Sequence, residues 1–403
     1  MLTKLKEAKG IRDAIHNYIH VEYQILWDCI NAREFQRLRR IHQLGATFQV
    51  YPSAEHSRFT HSLGVYEIVR RMLNEVEDLG SLVKEEEKVL VLLAALLHDI
   101  GHGPFSHAFE IISGQRHEEM TQQILTSDSE IFEILNNYGK DIPHKLVQVL
   151  NHTYPNELLS QLISSQLDGD RMDYLLRDAY FTGVKYGNFD FERILRTMKA
   201  VKNKLLVKES GIPAVEDYIM ARYHMYWQVY YHPVSRSFEA MVSLLFRRMV
   251  EVYNENPETL KEATMFLPYL RKEKVSNQDH YVLDESSCQY GFHLLSNCED
   301  TILKDLAERL LKRDLFEFID NINQKEEIQE KLVTNNYDLR YYYYEDQVRQ
   351  RVYQPYHGND TPIWVLSKKE EILELSAISS IVHAVTNSEE KIDDKIYFPK
   401  EIL

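Results

Sequence analysis

Val89-Leu-Val-Leu-Leu-Ala-Ala-Leu-Leu97 runs without a break into His98-Asp99-Ile-Gly-His102-Gly-Pro104. The apolar run is far too short to span a bilayer, and its pattern predicts a buried helix from Glu86 to Leu97 that stops at the glycine-proline turn. The ionisable pair after it then lies near the core. An unpaired carboxylate there is costly, and a metal is one of few groups that satisfy it. An isolated His-Asp pair is more often a helix-end feature; the apolar run is what favours the ligand reading.

Working outward, His61 lies upstream and the Asp-rich stretch Asp168-Gly-Asp170-Arg-Met-Asp173 downstream. His61, His98, Asp99 and Asp170 supply two imidazoles and two carboxylates. This mixed set suits a divalent transition metal better than calcium or a thiolate-bound structural zinc, and Mn, Mg, Fe, Zn, Co and Ni all remain open. Neighbours on a helix diverge, so His98 and Asp99 can share an ion only beyond the helix end, where the glycine-rich turn lets both bend toward it.

Helical spacing recurs over Leu63 to Val76, Pro143 to Asn151, Glu157 to Ser165, Arg171 to Tyr180, Ala214 to Tyr231, Phe238 to Tyr253 and Asp300 to Arg313, with a short hairpin over Met198 to Val207. Beyond about Asp320 the texture changes. Tyr341 to Tyr344, Gln347 to Tyr353 and Ile363 to Leu366 read as strands, with a turn at His357 to Asp360 and a helix over Ile372 to Val385. The expected fold is mainly α, a helical core over residues 1–320 with a small α/β appendage over residues 321–403.

The 403 residues carry a formal charge of −15 and three cysteines. That charge argues against broad binding to duplex nucleic acid, which needs a surface excess of Lys and Arg. A small polyanion is still accommodated by a local pocket, for which Arg33, Arg37, Arg39, Arg40, Arg58, Arg171 and Arg222 are candidates. Cys29, Cys288 and Cys298 form neither a metal knuckle nor an even disulfide framework, which fits a reducing cytoplasm. No apolar leader follows Met1, so the expectation is a cytoplasmic chain without a membrane partner.

Three segments then become specific: His56-Ser-Arg58-Phe-Thr-His61-Ser-Leu-Gly64, His98-Asp99-Ile-Gly-His102-Gly-Pro-Phe-Ser-His107 and Asp168-Gly-Asp170-Arg171-Met-Asp173-Tyr174. With Glu34-Phe-Gln-Arg-Leu-Arg39, Gln43-Leu44-Gly45 and Arg222 to His232, they resemble the HD-domain deoxynucleoside triphosphate triphosphohydrolases over roughly residues 1–320. The resemblance implies an HD-domain helical core that cleaves a dNTP at the α-phosphorus into deoxynucleoside and inorganic triphosphate. By it, His107 is the general acid or positioning group at the scissile bond, His102 bonds the α-phosphate, and His117 and Glu118 support them. Arg58, Arg171 and Arg222 fall where the family contacts the triphosphate, although some relatives carry Lys at the position of Arg171. Gln43, Leu44, Tyr174, Asp178 and Tyr230 fall where it holds the deoxyribose.

A branch of the family binds a regulatory nucleotide between subunits. Lys9, Gln36 and Arg39 match its contacts, and the resemblance implies a dNTP activator and a homo-oligomer, a dimer or a tetramer. Asn31 departs from the pattern. Relatives that select guanine place Asp there, since a carboxylate accepts from both guanine N–H groups, whereas an amide offers one acceptor and one donor pair. The rival readings are a phosphohydrolase of other nucleotides and a non-catalytic nucleotide sensor; a pure binder has no use for a proton donor beside a metal.

Overall fold

Residues 3–105, 107–271, 274–320, 324–350, 353 and 362–403 are described by the computed structural model, the side chains of His107 and Ile111 excepted. The fold is mainly helical, with small sheets. At its centre Arg58–Glu75 packs against Glu85–Leu97 and Gly169–Thr182, and these three helices carry the site. Val89 through Leu97 are all buried, as the apolar run requires. Glu85, Glu86 and Glu87 load the positive end of that helix, and the Glu87 carboxylate accepts the Lys84 amide at 2.9 Å. The helix ends at Leu97, leaving His98 at its C-cap.

Gly169–Thr182 starts on an Asp168 cap, whose carboxylate accepts the Arg171 amide at 2.6 Å, and stops at Gly183, whose φ of 77° suits a residue without a Cβ. The expected hairpin is present, pairing Met198 with Val207 and Val201 with Lys204. Its second strand continues into a parallel pairing of Leu206 with Trp364, which joins residues 364–374 to the same four-stranded sheet. A second sheet of three strands places Lys391–Phe398 between Glu317–Ile319 and Tyr344–Gln350. Among the described residues no helix is long and apolar enough to cross a membrane.

Three local expectations need correction or addition. The Tyr341 to Tyr344 run is not a strand throughout: Leu339–Tyr342 is a helical turn capped by Asp338, because burying Tyr341 and Tyr342 on the helix Pro233–Glu255 outweighs their strand preference. The strand begins at Tyr344 and runs to Gln350, while Arg351, Val352 and the turn expected at His357 to Asp360 lie outside the described residues. Ile372 to Val385 is not one helix. Ile372–Glu374 pairs with Trp364–Leu366, and the Ser379 hydroxyl, accepting the Val382 amide at 3.0 Å, starts a separate helix, Ser380–Thr386. The N-terminus, for which no element was expected, forms a hairpin of Lys4–Asp13 and Asn17–Tyr23.

Candidate metal centre

His61 comes from the first turn of Arg58–Glu75, His98 and Asp99 from just past the end of Glu85–Leu97, and Asp170 from the first turn of Gly169–Thr182. Ligand atoms of His61, His98 and Asp99 all lie within 4.8 Å of one another. Asp170 Oδ1 joins them at 3.0 Å from His61 Nε2 and 3.7 Å from His98 Nε2. Both Nε2 atoms are buried without a hydrogen-bond partner, so the 3.0 Å approach lacks hydrogen-bond alignment. Two orphaned imidazole nitrogens facing carboxylates fit a cation.

The opposite nitrogen of each ring is fixed. His98 Nδ1 donates to the Ala95 carbonyl at 2.9 Å and His61 Nδ1 to Asp173 Oδ2 at 2.8 Å, leaving the Nε2 lone pairs for the metal. Burial opposes protonation of His61, but Asp170 and Asp173 outweigh it and push its pKa up to about 10. Burial works against ionisation of Asp99 as well; His98, His102 and Arg58 hold its carboxyl well below the usual range. The surroundings therefore select positive charge at this point.

Sequence reasoning quoted Asp173 within a motif but gave it no role. Its carboxylate carries the support of His61, bonded also by His16 Nε2 at 2.6 Å and by Arg177 Nε at 2.8 Å. Arg177 stands four residues on from Asp173, a helical pairing that could have been read from the sequence; His16 and Asp13, over 150 residues away, carry no such signal. A further miss is Glu285. It accepts the His42 amide at 2.8 Å and the Phe105 amide at 3.3 Å, tying the chain beside Gln43 to the turn that follows His102.

His102 is buried, its Nε2 3.4 Å from Asp99 Oδ1, and its ring stacks on His117 at 3.8 Å between centroids. Burial, helped by the Arg58 charge, pushes its pKa down to about 3, so it is a neutral imidazole. Arg37 anchors its carbonyl at 2.8 Å. His117 Nδ1 is bonded to Glu110 at 2.8 Å, with Glu118 farther off at 3.5 Å and bonded to Arg116. His107 opens the helix His107–Ser113; its side chain lies outside the described structure. A cavity of about 270 Å³ lies over His98, Asp99 and Asp170, with His117, Glu118 and His152 on its other walls.

The residues expected around a sugar and phosphates form a second group. Asp178 is held by His56 Nε2 at 2.7 Å and by the Tyr230 hydroxyl at 2.8 Å, and the rings of Tyr174 and Tyr230 meet edge to face at 6.0 Å. Tyr230 ends a π-helical turn, Tyr226–Tyr230, that continues the helix bearing Arg222. Arg222 donates to Gln166 at 2.8 Å and keeps a buried, unpartnered Nε; Arg171 donates to Asp168 at 2.8 Å. Arg58 Nη1 lies 2.5 Å from Asp99. The Gln43 amide donates to the His56 carbonyl at 2.9 Å, its side-chain oxygen is buried without a partner, and Leu44 packs on the core.

Of the four residues expected at a regulatory site, Gln36 and Arg39 touch, Arg39 Nε donating to Gln36 Oε1 at 2.9 Å while its guanidinium covers Phe59. The Asn31 amide donates to the Trp27 carbonyl, and Lys9 lies on the outer strand of the N-terminal hairpin.

The HD domain family matches residues 58–178, and the HD associated region matches residues 189–265. The chain is similar to the uncharacterized protein YwfO of Bacillus subtilis, 42% identical over 99% of this chain and 94% of that one. It is 27% identical to the deoxynucleoside triphosphate triphosphohydrolase SAMHD1 homolog of Dictyostelium discoideum over 79% of this chain, and spans only 61% of that protein's length. Among solved structures, a phosphohydrolase from Bacteroides thetaiotaomicron superposes with a TM-score of 0.84 at 28% identity, covering 97% of this chain and 100% of that one.

Proposed function

This chain belongs to the HD-domain phosphohydrolase family, and on that premise we propose that it hydrolyses deoxynucleoside triphosphates to deoxynucleoside and inorganic triphosphate. The observation that carries the reading is the pair of orphaned Nε2 atoms of His61 and His98, set against Asp99 and Asp170 beside a cavity of about 270 Å³. These four residues would hold a divalent metal, which supplies charge compensation at the α-phosphate and activates water.

The remaining work falls to the chain itself. His102, neutral by burial, offers an uncharged N–H to a phosphate oxygen. His107 passes a proton to the departing 5′ oxygen, with His117 and Glu118 as support, and Arg58, Arg171 and Arg222 face the triphosphate. Asp178, already ordered by His56 and Tyr230, accepts the 3′-hydroxyl, while Tyr230, Tyr174, Gln43 and Leu44 close on the 2′ carbon and exclude ribose. The dNTP specificity is supported by the SAMHD1-type relatives. A second dNTP, bound at Lys9, Asn31, Gln36 and Arg39 between subunits, would activate the enzyme and favour a tetramer built from dimers.

The test is an assay of all four dNTPs, singly and in pairs, with Mn, Mg, Fe, Zn, Co and Ni supplied in turn, products resolved by chromatography. Intact triphosphate is the expected product. Release of orthophosphate, pyrophosphate or a monophosphate would assign a different nucleotide chemistry, and binding without turnover under every metal would make the chain a sensor.

A further inference from the structure

We infer that the tip of the N-terminal hairpin belongs to the metal centre: Asp13 and His16 are positioning residues for His61, so that seating the hairpin sets how tightly the site holds a divalent metal. The inference rests on the reading of His61 as a metal ligand. Asp173 is the link. One of its oxygens takes the His61 Nδ1 proton at 2.8 Å, and the other takes the His16 Nε2 proton at 2.6 Å.

Arg177 then joins the same carboxylate to the hairpin by a second route. Its Nε and Nη2 bond Asp173 at 2.8 and 2.9 Å, and its Nη1 bonds Asp13 at 2.9 Å. All of this is dry, with side-chain exposures of 0% for Asp173, 1% for Arg177, 4% for His16 and 6% for Asp13. The tip is shaped for the contact. Asp13 Oδ1 accepts the Ile15 and His16 amides at 2.9 and 3.0 Å, and Asn17 closes the turn at a φ of 61°.

Remove the tip, and Asp173 loses a donor while Arg177 loses its second carboxylate. Outer partners of a metal-bound imidazole typically change metal affinity 10–100-fold when removed, because they fix ring orientation and basicity. The rest of the hairpin rides on the helix that bears His61. Its inner strand is bonded at His20 to Tyr66 and Glu67, whereas the outer strand, Lys4–Asp13, is largely exposed. Lys9, on that outer strand, pairs with Val21 of the inner one and lies four residues from Asp13, about 13 Å along the strand. A nucleotide engaging Lys9 therefore grips the element whose far end holds Asp173.

The experiment titrates Mn2+ into the chelator-stripped full chain by calorimetry, with circular dichroism confirming the fold, for wild type, His61→Ala, His16→Ala, His16→Gln and Asp13→Asn. Asp13→Asn retains a carbonyl oxygen for the Ile15 and His16 amides, so it removes the Arg177 contact charge without unmaking the turn. We expect Mn2+ affinity to fall 10–100-fold in His16→Ala and Asp13→Asn, to recover in large part in His16→Gln, and to vanish in His61→Ala. Wild-type affinity in both His16→Ala and Asp13→Asn, with binding lost in His61→Ala, would overturn the inference and leave the metal site standing. Undiminished binding in His61→Ala would instead remove the metal reading on which it rests.

Discussion

Gly64→Ala adds one methyl group to the least forgiving point of the metal centre. Gly64 lies one turn past His61, and a Cβ there would meet Asp173 Oδ1 at 1.8 Å and Arg177 Nη2 at 2.4 Å. Ordinary contact begins near 3.4 Å, so the carboxylate must retreat by about 1.6 Å or the helix must move with its ligand. A retreat of that size breaks the 2.8 Å bond to His61 or the 2.6 Å bond to His16. Bonds to charged groups are worth ~1.5–3 kcal/mol each, and losing one or two outweighs the ~1 kcal/mol that Ala gains over Gly in a helix. The expected net loss is ~2–4 kcal/mol, a large share of the ~5–15 kcal/mol that holds a typical domain folded. Guanidinium unfolding of the metal-stripped protein should show a lower midpoint at unchanged slope, and Mn2+ titration a weaker site. An unchanged or raised midpoint together with wild-type metal affinity would refute the packing argument.

Other outcomes follow from the same geometry. Asp170→Ala should lose bound metal and turnover while keeping its helical circular dichroism; full activity and metal content would remove Asp170 from the ligand set. His107→Ala should retain metal and substrate but turn over roughly a hundredfold more slowly, the scale of a positioned proton donor, and a near-wild-type rate would place the donor elsewhere. Glu239, far along the chain from the metal ligands, is pushed up to about 7 by burial and by Asp346, against Arg236. Its carboxyl is protonated in both states below about pH 4.5. As pH rises toward 7 the unfolded chain releases a proton that the folded chain retains, so stability falls across that window and levels off above it. Allowing for its partial exposure, Glu239→Gln should be more stable by up to ~2 kcal/mol above pH 7, with the advantage shrinking toward pH 4.5. A stability difference independent of pH, measured by urea unfolding from pH 5 to 8, would contradict the assignment.

The helical core was legible because its signals are local. Val89 to Leu97 announces burial, Asp168 and Gly183 bracket a helix by cap chemistry, and Lys202-Asn-Lys204 marks the hairpin turn. The candidate ligands could be named from the sequence because few side chains can hold a metal and all four sit in motifs; the fold brings them together at one point. The N-terminal hairpin was not, since its outer strand is largely exposed from Lys6 to Gly10 and shows no sustained alternation; only Ile19 and Val21 of the inner strand are deeply buried. Tyr341 and Tyr342 misled because an aromatic packs equally well from a strand or a helical turn, and the choice was made by the helix beneath them. The support of His61 was hidden for a different reason. Asp13, His16 and Arg177 are ordinary residue types, and only folding across more than 150 positions brings His16 to Asp173 and Asp13 to Arg177.

Charge accounts for why the site needs this particular company. Asp99 is matched by Arg58, Asp13 and Asp173 share Arg177, and Asp170 faces the two imidazoles. With the imidazoles neutral, four carboxylates meet two guanidinium groups, and two negative charges are left uncompensated in a site where Asp170 is partly exposed to the cavity. Leaving them so is costly where solvent screens them poorly. One divalent cation cancels them; a monovalent ion leaves one, and a fully apolar ligand leaves both. In its absence protons meet the same deficit, which is the physical sense of His61 and His98 both being held above the ordinary imidazole range by the carboxylates around them, against the pull of burial. Arg177 is shared in this balance between Asp173, four residues before it on the same helix, and Asp13, which the hairpin brings to its other face.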